Sequence, residues 1–314
     1  MKKIILFLLM FFLTLPIESK ETITIVSPSA PGGGTTLHAH LVANMFNEHG
    51  WPTIVINRVS SDSIIGANFV AKSTPDGTTL LLGSTSAMSA NIAFPVPGME
   101  YDENSFVPIS LLNQFGKVLA VPASSEIENY EQFISYIKKN PEKFNLGLTN
   151  KQYSAIYHEW AQREGLPKPN IILYKGSLPV VTDLLGGHIP FMWDNYTAPL
   201  LPLVESGKVR IIAALDHATV EQLKKIQTNN VVIDLSKKYK DLELILYYGL
   251  FAPAGLSPTV LAEINHVVNE SAKLPKFQPL LKTMNIKNIG GPPESLLALQ
   301  KKNIYILKTF AKQN

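Results

Sequence analysis

Ser27-Pro-Ser-Ala-Pro-Gly-Gly-Gly-Thr-Thr-Leu37 is the stretch from which the fold of this 314-residue chain is read. Before it, Thr22-Ile-Thr-Ile-Val26 alternates polar and apolar residues, the two-residue period of a strand. After it, Leu37, Leu41 and Met45 recur every four residues with Val42 and Phe46 beside them, the stripe of an amphipathic helix. The connector therefore runs strand, glycine loop, helix N-terminus. Gly32, Gly33 and Gly34 let the backbone turn with its N–H groups exposed and put no Cβ in the way of a ligand. Thr35 or Thr36 is placed to cap the helix, whose first N–H groups and dipole favour a negative guest. Two readings are open at this point: a seat for an anion, most simply a carboxylate, or a tight turn with no ligand.

Working outward, the same logic repeats. Thr53-Ile-Val-Ile-Asn57 reads as a second strand, Ser61-Asp-Ser63 offers caps for a helix over residues 64–72, and Pro75-Asp-Gly77 marks a turn. Thr78-Thr-Leu-Leu-Leu-Gly83 is a continuous apolar run, as expected of a strand buried on both faces. Strand, helix, strand, helix, strand is a doubly wound parallel sheet. Ser84, Thr85 and Ser86 lie past the carboxyl end of its third strand, where ligands of open α/β sheets gather. Their hydroxyls either bind a ligand or cap the next turn.

Residues 87–116, rich in Pro, Gly and Asn, read as irregular, and Gly116-Lys-Val-Leu-Ala-Val-Pro122 as a strand. A second alternating set follows. Helices are expected over 130–139, 154–163, 179–185 and 198–205, with strands over 144–148, 170–176, 189–194 and 209–215. Residues 219–240 are weakly patterned. Residues 244–252 are apolar again, and Ser257-Pro258, an N-cap followed by Pro at N1, opens a helix to about 273. Further helices cover 275–284 and 293 onward. Two α/β units joined by strand-like passages at 117–121 and 246–252 imply paired lobes with a cleft between them. The expected division is residues 20–118 and 250–314 for one lobe and 119–249 for an inserted second lobe, with the C-terminal helices folding back on the first.

Composition supports a globular protein: 46% of residues are apolar and 17% charged. A chain this long can bury a real core in either one large domain or two lobes. The net charge of +3 is small and dispersed, with no basic run interleaved with aromatics, so nucleic acid is not an expected partner. Lys2-Lys3 and the apolar residues 4–15 read as the n- and h-regions of a signal peptide over 1–19, too short to span a bilayer comfortably. The chain has no cysteine, hence no lipidation site and no disulfide, and an exported protein of this kind holds together by packing alone.

Catalysis finds no support. His38 and His40 are two apart on a helix and point to different faces, and no His-Glu-x-x-His is present, so no metal is expected. Gly-x-Ser-x-Gly is absent, and the glycine loop lacks both the Lys-Ser/Thr ending of a P-loop and the Gly-x-Gly-x-x-Gly dinucleotide pattern. No cofactor is implied. Tyr174-Lys-Gly176 is more suggestive, because it repeats strand, glycine, helix. Lys175 either faces an anion or is a surface lysine, and Gly176 offers backbone N–H groups. Asp194-Asn195 follows another strand end, where Asp194 binds a ligand group, shapes the loop or caps the next helix.

In this order and spacing the chain resembles the solute-binding proteins of the tripartite tricarboxylate transporter family, the Bug receptors. The resemblance runs from about Ile23 to the last helix. It rests on Pro31-Gly-Gly-Gly-Thr35; Val55-Ile-Asn-Arg58 with Ile65-Gly-Ala67; and Ala71-Lys-Ser-Thr-Pro-Asp-Gly-Thr-Thr-Leu-Leu-Leu-Gly-Ser84. Tyr174-Lys-Gly-Ser-Leu-Pro179, Asp183-Leu-Leu-Gly-Gly187, Ser206-Gly-Lys-Val-Arg210 and Gly249-Leu-Phe-Ala-Pro-Ala-Gly255 complete it. It implies a two-lobed, type II-like periplasmic binding protein, monomeric, that closes on a small organic acid and delivers it to the large and small integral membrane subunits of a secondary transporter. An exported sensor or interaction protein on the same fold is the alternative. Carried over, the site residues are Gly33, Gly34, Thr35, Thr36, Ser84, Lys175, Gly176 and Asp194, to which Thr85 is added from its place beside Ser84. Thr36 and His40 stand where such receptors usually carry Asp and Arg. Ser60-Ser-Asp-Ser63 replaces Gly-Ala-Gly-Gly, and residues 149–155 replace a glycine-rich loop with a His.

Overall fold

The computed structural model describes residues 21–60, 62–148, 151–174, 177–196, 200–228 and 230–311, so the signal-peptide expectation lies outside the described residues. Parallel strands β1 (Ile23–Ser27), β2 (Thr53–Asn57) and β3 (Thr79–Ser84) form one end of a five-stranded sheet, connected by the helices Gly34–Glu48 and Ile64–Ala71. Leu80, Leu81 and Leu82 are all fully buried, Leu80 and Leu82 against one face's core and Leu81 against the other's. Burial of each such side chain is worth about 1.5–3 kcal/mol, which is why this continuous run lies inside the sheet.

The region read as irregular contains β4 (Phe106–Phe115), a ten-residue edge strand. Two register shifts conceal it. Opposite the returning strand, Leu112 and Ile109 are skipped in the pairing, so the alternation slips twice within one strand. Pro108 sits within it, tolerated because an edge strand has N–H groups that need no partner.

At Gly116 the chain crosses into a second sheet of six strands: β5 (Lys117–Pro122), β6 (Asn145–Leu148), β7 (Asn170–Leu173), β8 (Met192–Asn195), β9 (Val209–Ala214) and β10 (Ile233–Asp234). A Cβ at Gly116 would lie 1.6 Å from the Asp216 carboxylate, so only glycine fits this crossing. The chain returns through β11 (Leu246–Pro253), giving the orders β2-β1-β3-β11-β4 and β10-β9-β5-β8-β6-β7. Each sheet is therefore mixed, because the strand that enters from the other sheet, β5 or β11, runs antiparallel to its neighbours. The weakly patterned stretch resolves into short helices, His217–Leu223 and Leu235–Lys238, each started by an Asp cap: Asp216 accepts from Thr219 N at 2.8 Å and Asp234 from Ser236 N at 3.2 Å.

Helices cover both faces of both sheets, leaving an apolar cluster on each face. The helix Pro293–Ala311 ties the two halves together. Leu296, Leu299 and Ile304 pack into the first sheet's cluster, whereas Ile306, Leu307 and Phe310 pack with Tyr157 and Trp160 of the second. Among the described residues no helix is long and apolar enough to cross a membrane.

Candidate functional site

The carboxyl ends of β1 and β3 face the second sheet's carboxyl edge. Two contacts cross between them: Ser86 Oγ lies 3.4 Å from the Tyr153 hydroxyl, and Gln152 Nε2 donates to Asn91 Oδ1 at 3.2 Å. Most of the candidate residues collect around this junction.

The glycine loop is built from within. Gly32 takes φ +82°, a turn that an L side chain resists, and Gly33 is the N-cap of the helix Gly34–Glu48. Neither Thr35 nor Thr36 caps that helix; both lie in its first turn, and among the described residues no side chain accepts from the N-terminal N–H groups. The first three of those donors, on Gly34, Thr35 and Thr36, have no i−4 carbonyl within the helix and together with its dipole favour an anion. Thr36 is 2% exposed and turned inward. Its hydroxyl donates to Ala30 O at 2.9 Å, meets Ser27 Oγ at 2.8 Å and accepts from Asn57 Nδ2 at 2.9 Å, so it braces the loop.

Tyr248 of β11 is the hub. It pairs with Ser84 of β3 on one side and Asn113 of β4 on the other. Its phenol hydrogen-bonds Thr35, and a Cβ on Gly34 would lie 2.6 Å from its oxygen. Its ring packs on His38 at 4.4 Å and Phe115 at 5.1 Å between centroids. Burial pushes its hydroxyl up to about 12, so it is a neutral donor at physiological pH. His38, 5% exposed, is held beneath: Nδ1 donates to Gly34 O at 2.7 Å and Nε2 accepts from Asn113 Nδ2 at 3.3 Å. Desolvation pulls its pKa down to about 4, leaving a neutral imidazole.

Across the junction, Lys117 and Asn195 are cross-strand partners on β5 and β8, and Asp194 is next to them. Lys117 Nζ donates to Asn195 Oδ1 at 3.0 Å, lies 3.9 Å from Asp194 Oδ1 and sits 4.8 Å from the centroid of the Tyr153 ring. The Lys117 and Asp194 side chains are 1% and 0% exposed. Burial lowers the Lys117 ammonium to about 8, with Asp194 opposing that shift. Tyr157 and Tyr248 feel the Asp194 charge, and burial raises the Tyr157 hydroxyl well above its usual range.

Of the residues singled out from sequence, Gly34, Thr35 and Ser84 therefore gather at Tyr248, with Gly33 next to them in the loop and Asp194, beside Lys117, acting on the same phenol by its charge. Ser84 Oγ also accepts from Ala87 N at 3.4 Å, starting the turn that follows. Thr85 is buried, its Oγ1 accepting from Tyr247 N at 2.6 Å and donating to Tyr247 O at 3.3 Å, which ties β3 to β11. Lys175 and Gly176 lie outside the described residues, as do Thr149 and Asn150. Sequence reasoning missed Lys117, Tyr153, Tyr157 and Tyr248. The signal for Lys117 was available, a charge at the head of an apolar strand run; the tyrosines carried none. Among the described residues there is no group of three metal-ligating side chains. A surface cavity of about 920 Å³ lies elsewhere, lined by Asn269, Lys273, Lys282 and Lys287 of the C-terminal helices and their connections.

With this geometry in place, comparison with known proteins is informative. The model of the tripartite tricarboxylate transporter family receptor matches residues 38–303. The UPF0065 protein in the tcbD-tcbE intergenic region of Pseudomonas sp. (strain P51) is 31% identical over 285 residues, covering 89% of this chain and 82% of its own. A solved structure described as a periplasmic transporter superposes with TM-score 0.78 at 27% identity, covering 95% of this chain and 98% of its own. The R. palustris Rpa4515 protein, solved with adipate, superposes with TM-score 0.78 at 23% identity, covering 93% and 96%, which shows the shared two-lobed fold.

Proposed function

Because the chain belongs to the tripartite tricarboxylate transporter receptor family, we propose that it captures a small organic acid between its lobes and delivers it to that transporter's two integral membrane subunits. The family is one of receptors rather than enzymes. The observation that carries the reading is the uncapped helix N-terminus at Gly34–Thr36, which opens beside the neutral phenol of Tyr248. An uncapped helix start with a fixed hydroxyl donor is a carboxylate seat that needs no lysine or arginine of its own. Adipate in the Rpa4515 protein makes a dicarboxylate a reasonable first probe.

In this reading the lobes follow the two sheets, residues 20–116 with 246–314 in one and 117–245 in the other, a few residues from the division at 118/119 and 249/250 expected from the sequence. They hinge where the chain crosses at Gly116 and again just before β11. Ligand contacts from both lobes favour the closed state by their differential affinity for it. The protein works in the periplasm as a monomer, reached through the segment over residues 1–19. Thermal unfolding of the mature protein against mono-, di- and tricarboxylates tests this, since a ligand bound only to the folded state adds RT ln(1 + [L]/Kd) to stability. A rise in Tm with at least one acid is expected; no rise with any acid in a folded sample would rule the receptor role out.

A further inference from the structure

A lysine buried at the junction of the lobes is costly unless something balances it, and among the described residues Lys117 is balanced incompletely. An ammonium carries three N–H donors. Among the described residues, the Lys117 side chain makes one hydrogen bond, to Asn195 Oδ1 at 3.0 Å, while Asp194 Oδ1 at 3.9 Å is a charge neighbour beyond hydrogen-bond reach. The face of Tyr153 at 4.8 Å adds a weak attraction. Burying an ion pair without full hydrogen bonding leaves a net desolvation cost, and this is the cause of the depressed ammonium. Another polar group points the same way: the Tyr157 hydroxyl, next to Asp194 in charge terms, is fully buried and has no hydrogen-bond partner among the described residues.

Position matters as much as energy. Lys117 starts β5, which runs antiparallel to β8, so its side chain lies over the carboxyl end of β8, on the edge where ligands of α/β sheets bind. Tyr153, whose ring covers it, reaches Ser86 of the other lobe with its hydroxyl, and Asp194 acts on Tyr248, which holds the glycine loop. The ammonium is thus a fixed cation at the head of β5, linked through Asp194 and Tyr248 to the loop that starts the first sheet's opening helix.

We propose that Lys117 contacts the ligand directly, donating from its ammonium to a carboxylate of the bound acid and selecting acids that carry no amino group at that end. This rests on the receptor reading above. Asp194 would otherwise welcome a ligand amine; with Lys117 already beside it, a second ammonium meets a like charge. A carboxylate there completes the hydrogen bonding of Lys117 and restores its preference for the charged form. Binding therefore takes up a proton above the pH at which the free protein's ammonium begins to titrate. The charged and titratable groups facing Lys117 are Asp194 on β8 and the Tyr153 phenol, with Tyr157 and Tyr248 behind Asp194. The three phenols remain neutral in this range, so Lys117 is the group that changes.

The test is calorimetric titration of the mature protein with paired probes that differ by one amino group: succinate and aspartate, glutarate and glutamate, adipate and 2-aminoadipate. The wild type is expected to favour the acid without the amine by about tenfold or more, and to take up protons on binding it at pH 8.5, read from runs in buffers of different ionisation enthalpy. Lys117→Met should bind that acid about ten- to a hundredfold more weakly, the worth of one charge-assisted hydrogen bond, and lose both the preference and the proton uptake. The proton uptake is measured on the wild type and does not depend on the variant folding. Overturning results are a wild type that prefers the amino acid, binding at pH 8.5 without proton uptake, or a folded Lys117→Met that binds within about threefold of wild type. A wild type that binds none of the probes overturns the receptor reading itself, and this inference with it.

Discussion

Gly34 lies so close to Tyr248 that a Cβ at residue 34 would stand 2.6 Å from the phenol oxygen and 3.3 Å from Cζ. The ring cannot simply swing away, since His38 and Phe115 pack against it and Thr35 holds its hydroxyl. Gly34→Ala is therefore expected to cost about 1–3 kcal/mol in stability through overpacking, and to weaken ligand binding by displacing the phenol. Tyr248→Phe removes the nearer atom and leaves contacts a few tenths of an ångström too tight. The double variant should then be less destabilised than the sum of the two singles. Chemical denaturation of the four proteins measures the coupling; strict additivity would mean the contact is relieved elsewhere.

Thr36 is 2% exposed, and its hydroxyl is used inside the loop, between Ser27, Ala30 and Asn57. Thr36→Val keeps the shape and removes the hydrogen bonds of a buried hydroxyl, with an expected cost of about 1–3 kcal/mol. Thr36→Asp should cost at least as much, because a carboxylate cannot donate to Ala30 O and would face that carbonyl unpaired. If ligand affinity falls in Thr36→Val only as far as stability does, the residue braces the loop; a much larger loss of affinity would place Thr36 in contact with the ligand. Urea unfolding and ligand titration on the same variants separate the two.

Local features of this fold were legible because they are written in neighbouring residues. The alternation before the glycine loop, the apolar run of β3, and Ser257-Pro258 ahead of the helix Pro258–Lys273 each carry their own physics. β4 was not legible, since its two register shifts at Leu112 and Ile109 break the period of two that marks a strand. The sequence singled out the glycine loop as a candidate ligand seat, but not Lys117 and the tyrosines around it. Their roles arise only when β5, β8 and the turn Lys151–Tyr153 meet, at sequence separations that no periodicity records.

His38 gives the protein an acid sensitivity with a definite sign. Its imidazole titrates near the usual 6.5 in the unfolded chain and only at about 4 when folded, because burial disfavours the charge. Between those values the unfolded state binds more protons, so stability falls as pH drops through that window, by up to about 1.4 kcal/mol per unit. His38→Gln should lose some stability at pH 7, where the bonds to Gly34 and Asn113 are imperfectly replaced, and should show a flatter decline from pH 6.5 to 4. Tm measured across that range for both proteins checks the slope; identical slopes would show that His38 does not titrate in this way.

Lys117 should act with the same sign as His38, but at the alkaline end, in the absence of ligand. Its folded-state pKa is lowered from 10.5 to about 8, so between those values the unfolded chain holds a proton that the folded protein has released. Stability from this residue therefore rises as pH climbs through the window, once the buried charge is gone. Lys117→Met lacks that gain and is never penalised by a buried ammonium. Compared with wild type it should be relatively more stable at pH 7 than at pH 10, even though other groups lower the stability of both proteins in strong alkali. Urea denaturation of the ligand-free pair at pH 7, 8.5 and 10 measures the difference. A gap between the two that stays constant with pH would mean that Asp194 and Asn195 already hold the ammonium as comfortably as water does.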